Sequence, residues 1–194
     1  MKYQISYDQN EGLPNKLGLT SLDSLALAEF EGFLKAELIL TEKLTYKTRF
    51  DYKFIQKIHL LALGNVYDFA GKWRTVNLSK GGFVFASAQF LPQTMQTFDA
   101  EFLKTLPTSY KEKSLFINDL AQVHAELLFI HPFREGNGRT ARILANLMCR
   151  KYDFDIPGWN IINTKNYFTA YVIAVQQAAD QNYKPMQQLM NELF

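Results

Sequence analysis

Apolar residues recur at helical spacing through most of this chain, and one short stretch breaks the rhythm. Leu25, Leu27, Phe30, Phe33, Leu34 and Leu38 predict a helix capped by Thr20 or Ser21 and running to about Thr45. A second helix is predicted from about Tyr52 to Leu63, stopped by Gly64-Asn65. Pro92 opens another that reaches about Leu106, where Pro107 ends it. From Ser114 to Ile130 the periodicity is strong (Leu115, Phe116, Leu120, Val123, Leu127, Leu128), as expected of a buried central helix. Further helices are predicted over about Asn137–Tyr152 and about Asn163–Asp180, and Pro185 precedes a short last one. The exception lies at about 75–86. Thr75-Val76-Asn77-Leu78 and Phe83-Val84-Phe85-Ala86 favour strand, and Ser79-Lys80-Gly81-Gly82 between them is turn material, so a β-hairpin is expected. The polar first 18 residues read as an irregular arm. The fold expected is all-α with one hairpin.

Composition narrows this without redirecting it. With 194 residues, 47% hydrophobic and 21% charged, the chain can bury a core, and 1–194 reads as one domain. A net charge of +2 with no long run of one sign argues against a nucleic-acid grip built on bulk charge. Cys149 is the only cysteine, so no intrachain disulfide is possible and a reducing compartment fits. The first eight residues lack the apolar core of a secretory signal, and no apolar stretch approaches the roughly 18 residues that span a bilayer. These features predict a cytoplasmic protein with no membrane contact.

Chemistry concentrates where two amphipathic helices meet. Gly136-Asn137-Gly138 supplies a backbone that tolerates positive φ and close ligand approach. It opens directly into a helix, whose first N–H groups lack intrahelical partners, so the junction suits an anion and above all a phosphate. Arg139 and Arg142 sit three apart on that helix, which predicts a shared face at the same end. Cations there oppose the helix dipole, a cost of a few tenths of a kcal/mol each that a bound polyanion would offset. Glu135 is a candidate Mg²⁺ ligand, because a hard cation bridging phosphates takes only one or two oxygens from protein. His131, at the end of the apolar run Leu127–Ile130, is either a structural residue or a base beside the phosphate. Phe133 is an apolar anchor, and His59 and His124 fall inside helical patterns as packing residues. The residues alone predict a phosphate site with a candidate base and leave the compound and the reaction open.

Residues 131–142, His-Pro-Phe-Arg-Glu-Gly-Asn-Gly-Arg-Thr-Ala-Arg, resemble the signature of the Fic (filamentation induced by cAMP) domain family, His-x-Phe-x-(Asp/Glu)-Gly-Asn-Gly-Arg-x-x-Arg, with every specified position filled. Residues 66–74, Val-Tyr-Asp-Phe-Ala-Gly-Lys-Trp-Arg, are similar to the family's segment leading into its hairpin, and Asn15-Lys16-Leu17-Gly18 to its N-terminal stretch. Residues 182–186 match a weaker pattern of the same family. The resemblance implies a helical core with a hairpin flap, and a protein adenylyltransferase moving AMP from Mg²⁺-bound ATP to a Tyr, Ser or Thr hydroxyl of a target protein. It implies that His131 is the general base, Glu135 holds Mg²⁺, Gly136, Asn137 and Gly138 form the anion hole, and Arg139 and Arg142 hold the β- and γ-phosphates. The flap, at Lys80, Gly81, Gly82 and Phe83, would dock an extended target segment by strand pairing. Tyr167, Tyr171 and Asn182 are candidate neighbours of the base or ribose.

Many members of that family inhibit themselves through a (Ser/Thr)-x-x-x-Glu-(Gly/Asn) helix whose Glu pairs with the second signature arginine. Glu31-Gly32 has Leu27 four positions earlier and Glu11-Gly12 has Tyr7, so neither fits. The resemblance then implies a toxin-type protein whose inhibitory Glu comes in trans from a small antitoxin partner, a subfamily whose targets are bacterial type II topoisomerases. Alternatives on the same fold are another donor (another nucleotide or a phosphocholine compound) or kinase chemistry, for which related proteins carry Lys where this chain has Gly138. A catalytically silent nucleotide-binding module is the alternative from a different class.

Overall fold

The computed structural model describes residues 12–80 and 82–194. Gly81 and the residues of the N-terminal arm before Gly12 lie outside them. The α-helices are α1 (Leu22–Glu42), α2 (Tyr52–Leu63), α3 (Leu91–Phe98), α4 (Lys113–Ile130), α5 (Asn137–Lys151), α6 (Lys165–Gln177) and α7 (Lys184–Leu193). A hairpin of β1 (Ser79–Lys80) and β2 (Phe83–Val84) joins α2 to α3. The helical expectation with one hairpin therefore holds, and the boundaries of α2, α4 and α5 fall within one residue of those predicted.

Helix α4 is the axis of the structure. It is buried on nearly all sides (Phe116, Leu120, Val123, Leu127 and Ile130 among others) and packs against α3, α5, α6 and α7. Helices α1 and α2 form a tight pair on the other side of α5. Gly32 makes that approach possible, since a Cβ there would lie 2.0 Å from the Ala62 carbonyl oxygen. Before α1, the Lys16 amide and ammonium donate to the carbonyls of Val66 and Gly64, tying residues 15–18 to the end of α2.

The structure corrects the reading of α1. Ser21 caps it as expected, accepting from the Ser24 amide, but the helix ends at Glu42. A turn closed between Thr45 and Thr48 then draws the backbone away, as side chains of Thr readily do. Of the apolar residues that predicted the helix, only Leu25 and Phe33 are buried; Leu27, Phe30, Leu34 and Leu38 are 57%, 60%, 52% and 59% exposed. The inward face carries Glu29, Ala36 and Leu40 instead. The spacing gave the period correctly and the phase wrongly.

The hairpin is also displaced from its predicted strands. Ser79 pairs with Val84 and Lys80 with Phe83, and Gly82, just before β2, has φ 84°. The Phe85 amide donates to Leu78 O and extends the ladder by one bond. Residues 75–77 stay out of it because the Arg74 guanidinium takes the carbonyls of Val76 and Ala86.

The predicted 92–106 helix is α-helical only to Phe98 and continues as a π-turn over Asp99–Leu103. Asp99 explains the change: it is buried, accepts from the Tyr52 amide and pairs with Lys104 at 2.8 Å. The predicted 163–180 helix is α6 over Lys165–Gln177 and ends in a 3₁₀ turn at Ala178–Asp180, and a separate 3₁₀ turn at Trp159–Asn163 leads into it. Pro185 lies in the first turn of α7, where its missing N–H is tolerated. No helix among the described residues is long and apolar enough to cross a membrane.

Candidate active site

Helix α4 stops at Ile130 because His131 turns left-handed, with φ 54° and ψ 56°. Its amide still donates to Leu127 O, so the residue serves as the helix cap. A non-glycine residue in this conformation is sparsely populated and has to be held there by its surroundings. The imidazole is buried, stacked on Phe85 of the hairpin with centroids 4.0 Å apart. Its Nδ1 lies 2.9 Å from Leu128 O, which can only accept, so Nδ1 carries the proton and the lone pair sits on Nε2. Burial pulls the His131 pKa down to about 3, and the nearby cations Arg74 and Lys80 act in the same direction. The ring is therefore neutral near neutral pH, which is the form a proton acceptor needs.

The turn that follows is braced from within. The Phe133 ring stacks on His59 at 3.8 Å and lies 5.2 Å from Trp73. Asn137 closes the loop with two bonds, its Oδ1 accepting from Phe133 N–H and its Nδ2 donating to Phe133 O. Its side chain is thus spent on the turn, and what it offers a ligand is its backbone N–H. His59 accepts from Gly71 N–H at Nδ1 and donates from Nε2 to Glu135 O at 3.0 Å. Burial lowers its pKa to about 4, so it is a neutral brace, as its place in a helical pattern predicted.

Gly136 is the cap of α5, at φ 77°, and a Cβ there would stand 2.9 Å from the Phe33 ring. Both facts require glycine. The first intrahelical bond of α5 runs from Thr140 N–H to Gly136 O, so the amides of Asn137, Gly138 and Arg139 precede the helix's own ladder. A Cβ on Gly138 would meet nothing within 4 Å. The start of α5 therefore carries the unpaired amides that an anion site requires.

The two arginines diverge from their expected shared face. Arg139 reaches α1, 2.6 Å from Glu29 and 3.3 Å from Glu135, with its guanidinium 4.6 Å from the Phe33 ring centroid. Glu29 in turn accepts from the Tyr67 hydroxyl. Arg142 goes the other way, lying 5.9 Å from the Trp159 ring centroid and beside the Tyr171 hydroxyl. That hydroxyl is 2.7 Å from His124 Nε2, and His124 stacks on Trp159. Arg142 makes no ion pair among the described residues, and its buried Nε has no hydrogen-bond partner. A buried donor so placed favours an incoming anion.

Glu135 holds the Gly136 amide at 2.8 Å through the same Oε1 that meets Arg139. Among the described residues no group of three or more His, Cys, Asp or Glu could enclose a metal. One partly exposed carboxylate fits Mg²⁺ only where phosphate and water supply the other ligands. In the hairpin, Lys80 and Phe83 face each other across the ladder, and the Phe83 ring packs on Phe85 and Phe129 as an anchor. Tyr171 is buried beside Arg142, whereas Asn182 is turned onto Gln177. Glu29, Arg74 and Trp159 build this site without being legible as site residues. Glu29 carried a hint as a charge on what proved to be the inward face of α1, and Arg74 lies in the family-like segment 66–74.

The sequence profile of the Fic/DOC family matches residues 49–149, more than half of the chain. The protein adenylyltransferase VbhT of Bartonella schoenbuchensis is 31% identical over 112 residues, 56% of this chain and 23% of that protein. The probable protein adenylyltransferase y4lH of Sinorhizobium fredii is 27% identical over 107 residues, 55% of this chain and 56% of that one. This chain thus spans between about a quarter and just over half of these relatives. Among solved structures, BepC of Bartonella tribocorum with bound AMPPNP superposes with a TM-score of 0.77 at 19% identity, covering 96% of this chain and 94% of that one. The Fic domain of Bep8 from Bartonella sp. 1-1C gives 0.79 at 18% identity, covering 97% and 93%. These likenesses establish the fold.

Proposed function

This chain belongs to the Fic/DOC family, and from that premise we propose that it is a protein adenylyltransferase acting on a Tyr, Ser or Thr hydroxyl of a target protein. One observation carries the reading: His131 is buried and neutral, its proton fixed on Nδ1 by Leu128 O, beside a helix start that suits phosphate. In the reaction the target oxygen bonds to the α-phosphorus of ATP while its proton passes to His131 Nε2. The bond to the β-phosphate bridging oxygen breaks, and pyrophosphate leaves. Amides at Gly136, Asn137 and Gly138 and the Arg142 guanidinium receive the charge that grows on the leaving side. Arg139 contributes a cation already balanced by two carboxylates. Glu135 would hold Mg²⁺, which when bound neutralises the phosphates. The hairpin, about Lys80 to Phe83, presents the target segment.

Control in trans extends the same reading: a small antitoxin-like partner offers a carboxylate to Arg142. The lack of any ion pair to Arg142 among the described residues supports it. The single chain 1–194 would then be the toxin-type unit, cytoplasmic, with a bacterial type II topoisomerase as target. Glycine at 138, where related kinases carry Lys, favours AMP transfer over kinase chemistry.

The test is incubation with Mg²⁺, a bacterial lysate and ATP labelled at its α-phosphorus, beside His131→Ala. Label on a protein band, reduced by about 10²-fold or more in the variant, is the expected result. Label arriving only from the γ-phosphorus would replace this reading with a kinase, and label from neither with a silent module. A purified topoisomerase that stays unlabelled, or Arg142→Ala that binds Mg²⁺–ATP like the parent, would remove the corresponding part.

A further inference from the structure

Arg74 is a buried cation that meets no carboxylate among the described residues. It is satisfied by carbonyls alone. Its Nε donates to His131 O at 2.7 Å and one terminal nitrogen to Val76 O at 2.7 Å. The other terminal nitrogen serves Ala86 O and, at 3.3 Å, Ile130 O. Its backbone N–H adds Pro132 O at 2.9 Å. Three consecutive carbonyls at the end of α4 and both feet of the hairpin thus converge on one residue.

Two of those carbonyls, Ile130 and His131, lie at the end of α4, where acceptors outrun the helix's own donors and a cation is favoured by the dipole. Arg74 therefore completes the cap that turns His131 left-handed, a conformation that persists only when its surroundings over-determine it. The planar guanidinium also fixes the distance from that turn to Val76 and Ala86, which a single ammonium cannot do. Phe85, next to Ala86, stacks on the His131 ring, so the same clamp sets the ring against the hairpin.

We propose that Arg74 is a positioning residue that locks the hairpin and the His131 turn into one register, aligning the presented hydroxyl with His131 Nε2. It touches neither nucleotide nor target. The proposal rests on the reading of His131 as the base.

The experiment compares the parent protein with Arg74→Met and Arg74→Lys in three measurements. These are amide exchange by mass spectrometry, Mg²⁺–ATP affinity by calorimetry, and AMP transfer from α-labelled ATP in a bacterial lysate. Exchange should rise selectively at 75–86 and 130–134, with α2 and α5 unchanged. Transfer should fall by about 10²-fold in Arg74→Met, the scale of an angstrom-sized misplacement, and less in Arg74→Lys. Affinity for Mg²⁺–ATP should stay within about twofold of the parent, because Arg74 is not part of the phosphate site. Transfer equal to the parent's overturns the proposal, as do transfer and affinity falling together, exchange rising evenly across the helices, or unfolding of both variants. Should the parent itself transfer no AMP, the base assignment fails, while selective exchange still decides whether Arg74 couples hairpin to turn.

Discussion

Arg139 and Arg142 stand one turn apart on α5 and live in opposite surroundings. On the Arg139 side, Glu29, Glu135 and the Tyr67 hydroxyl form a closed set of charge and hydrogen bonds around the guanidinium. On the Arg142 side the walls are Trp159, Tyr171 and His124, and no carboxylate pairs with the guanidinium among the described residues. A charge that is already balanced holds structure together. One that is unbalanced and half sunk in aromatic rings is available to a ligand. The packing of α1 on one side, and of Trp159, His124 and Tyr171 on the other, makes this difference, and the identical residue type does not.

The largest test of both sides is acid. His59, His124 and His131 have pKa values lowered to about 4, 3 and 3, chiefly by burial. Between those values and about 6.5 the unfolded chain takes up protons that the folded chain refuses. Stability is thus full above about pH 6.5 and is lost as pH falls toward 4, with a slope of up to about 4 kcal/mol per pH unit if all three rings stay neutral. Urea titrations at several pH values measure the slope. An imidazole resonance titrating near its ordinary value on either side would show that water reaches that side. Transfer activity should by the same reasoning stay flat well below pH 6.5, up to the point where the protein unfolds.

Next in size is removal of the balanced cation. Arg139→Met leaves the Glu29 carboxylate buried with only Tyr67, and should lower stability by about 2 kcal/mol in denaturant melts. Pairing it with Glu29→Gln should recover part of that loss, since the charge that needs a partner is gone. Tyr171→Phe removes one buried bond beside Arg142, an effect of about 1 kcal/mol. Arg142→Met should change stability least, within about 0.5 kcal/mol, while weakening Mg²⁺–ATP by more than about tenfold in calorimetry. If Arg139→Met matched it in nucleotide affinity while leaving stability intact, the contrast between the two sides would collapse.

Much of this was legible beforehand. The signature at 131–142 located the loop, and physical reasoning alone made Gly136 and Gly138 a phosphate site. The structure gives two of these residues further partners: Asn137 braces the turn with its side chain, and Arg139 is bound by carboxylates. The phase of α1 was not legible. Leu27, Phe30, Leu34 and Leu38 make as good an apolar stripe as the buried set, and packing against α2 at Gly32 chose the other face. Nor was the hairpin register, because Arg74 claims carbonyls that strand propensity assigned to the ladder.

Local pattern determined what depends on neighbours along the chain: the helices, the left-handed cap at Gly136 and the unpaired amides at the start of α5. Tertiary structure decided what depends on partners tens of residues away. Glu29 is 110 positions from Arg139 and His59 is 76 from Glu135, and no local periodicity encodes a contact at such separations. Burial, which keeps the His131 ring neutral, is a property of the packed whole, because only the assembled helices exclude water from it.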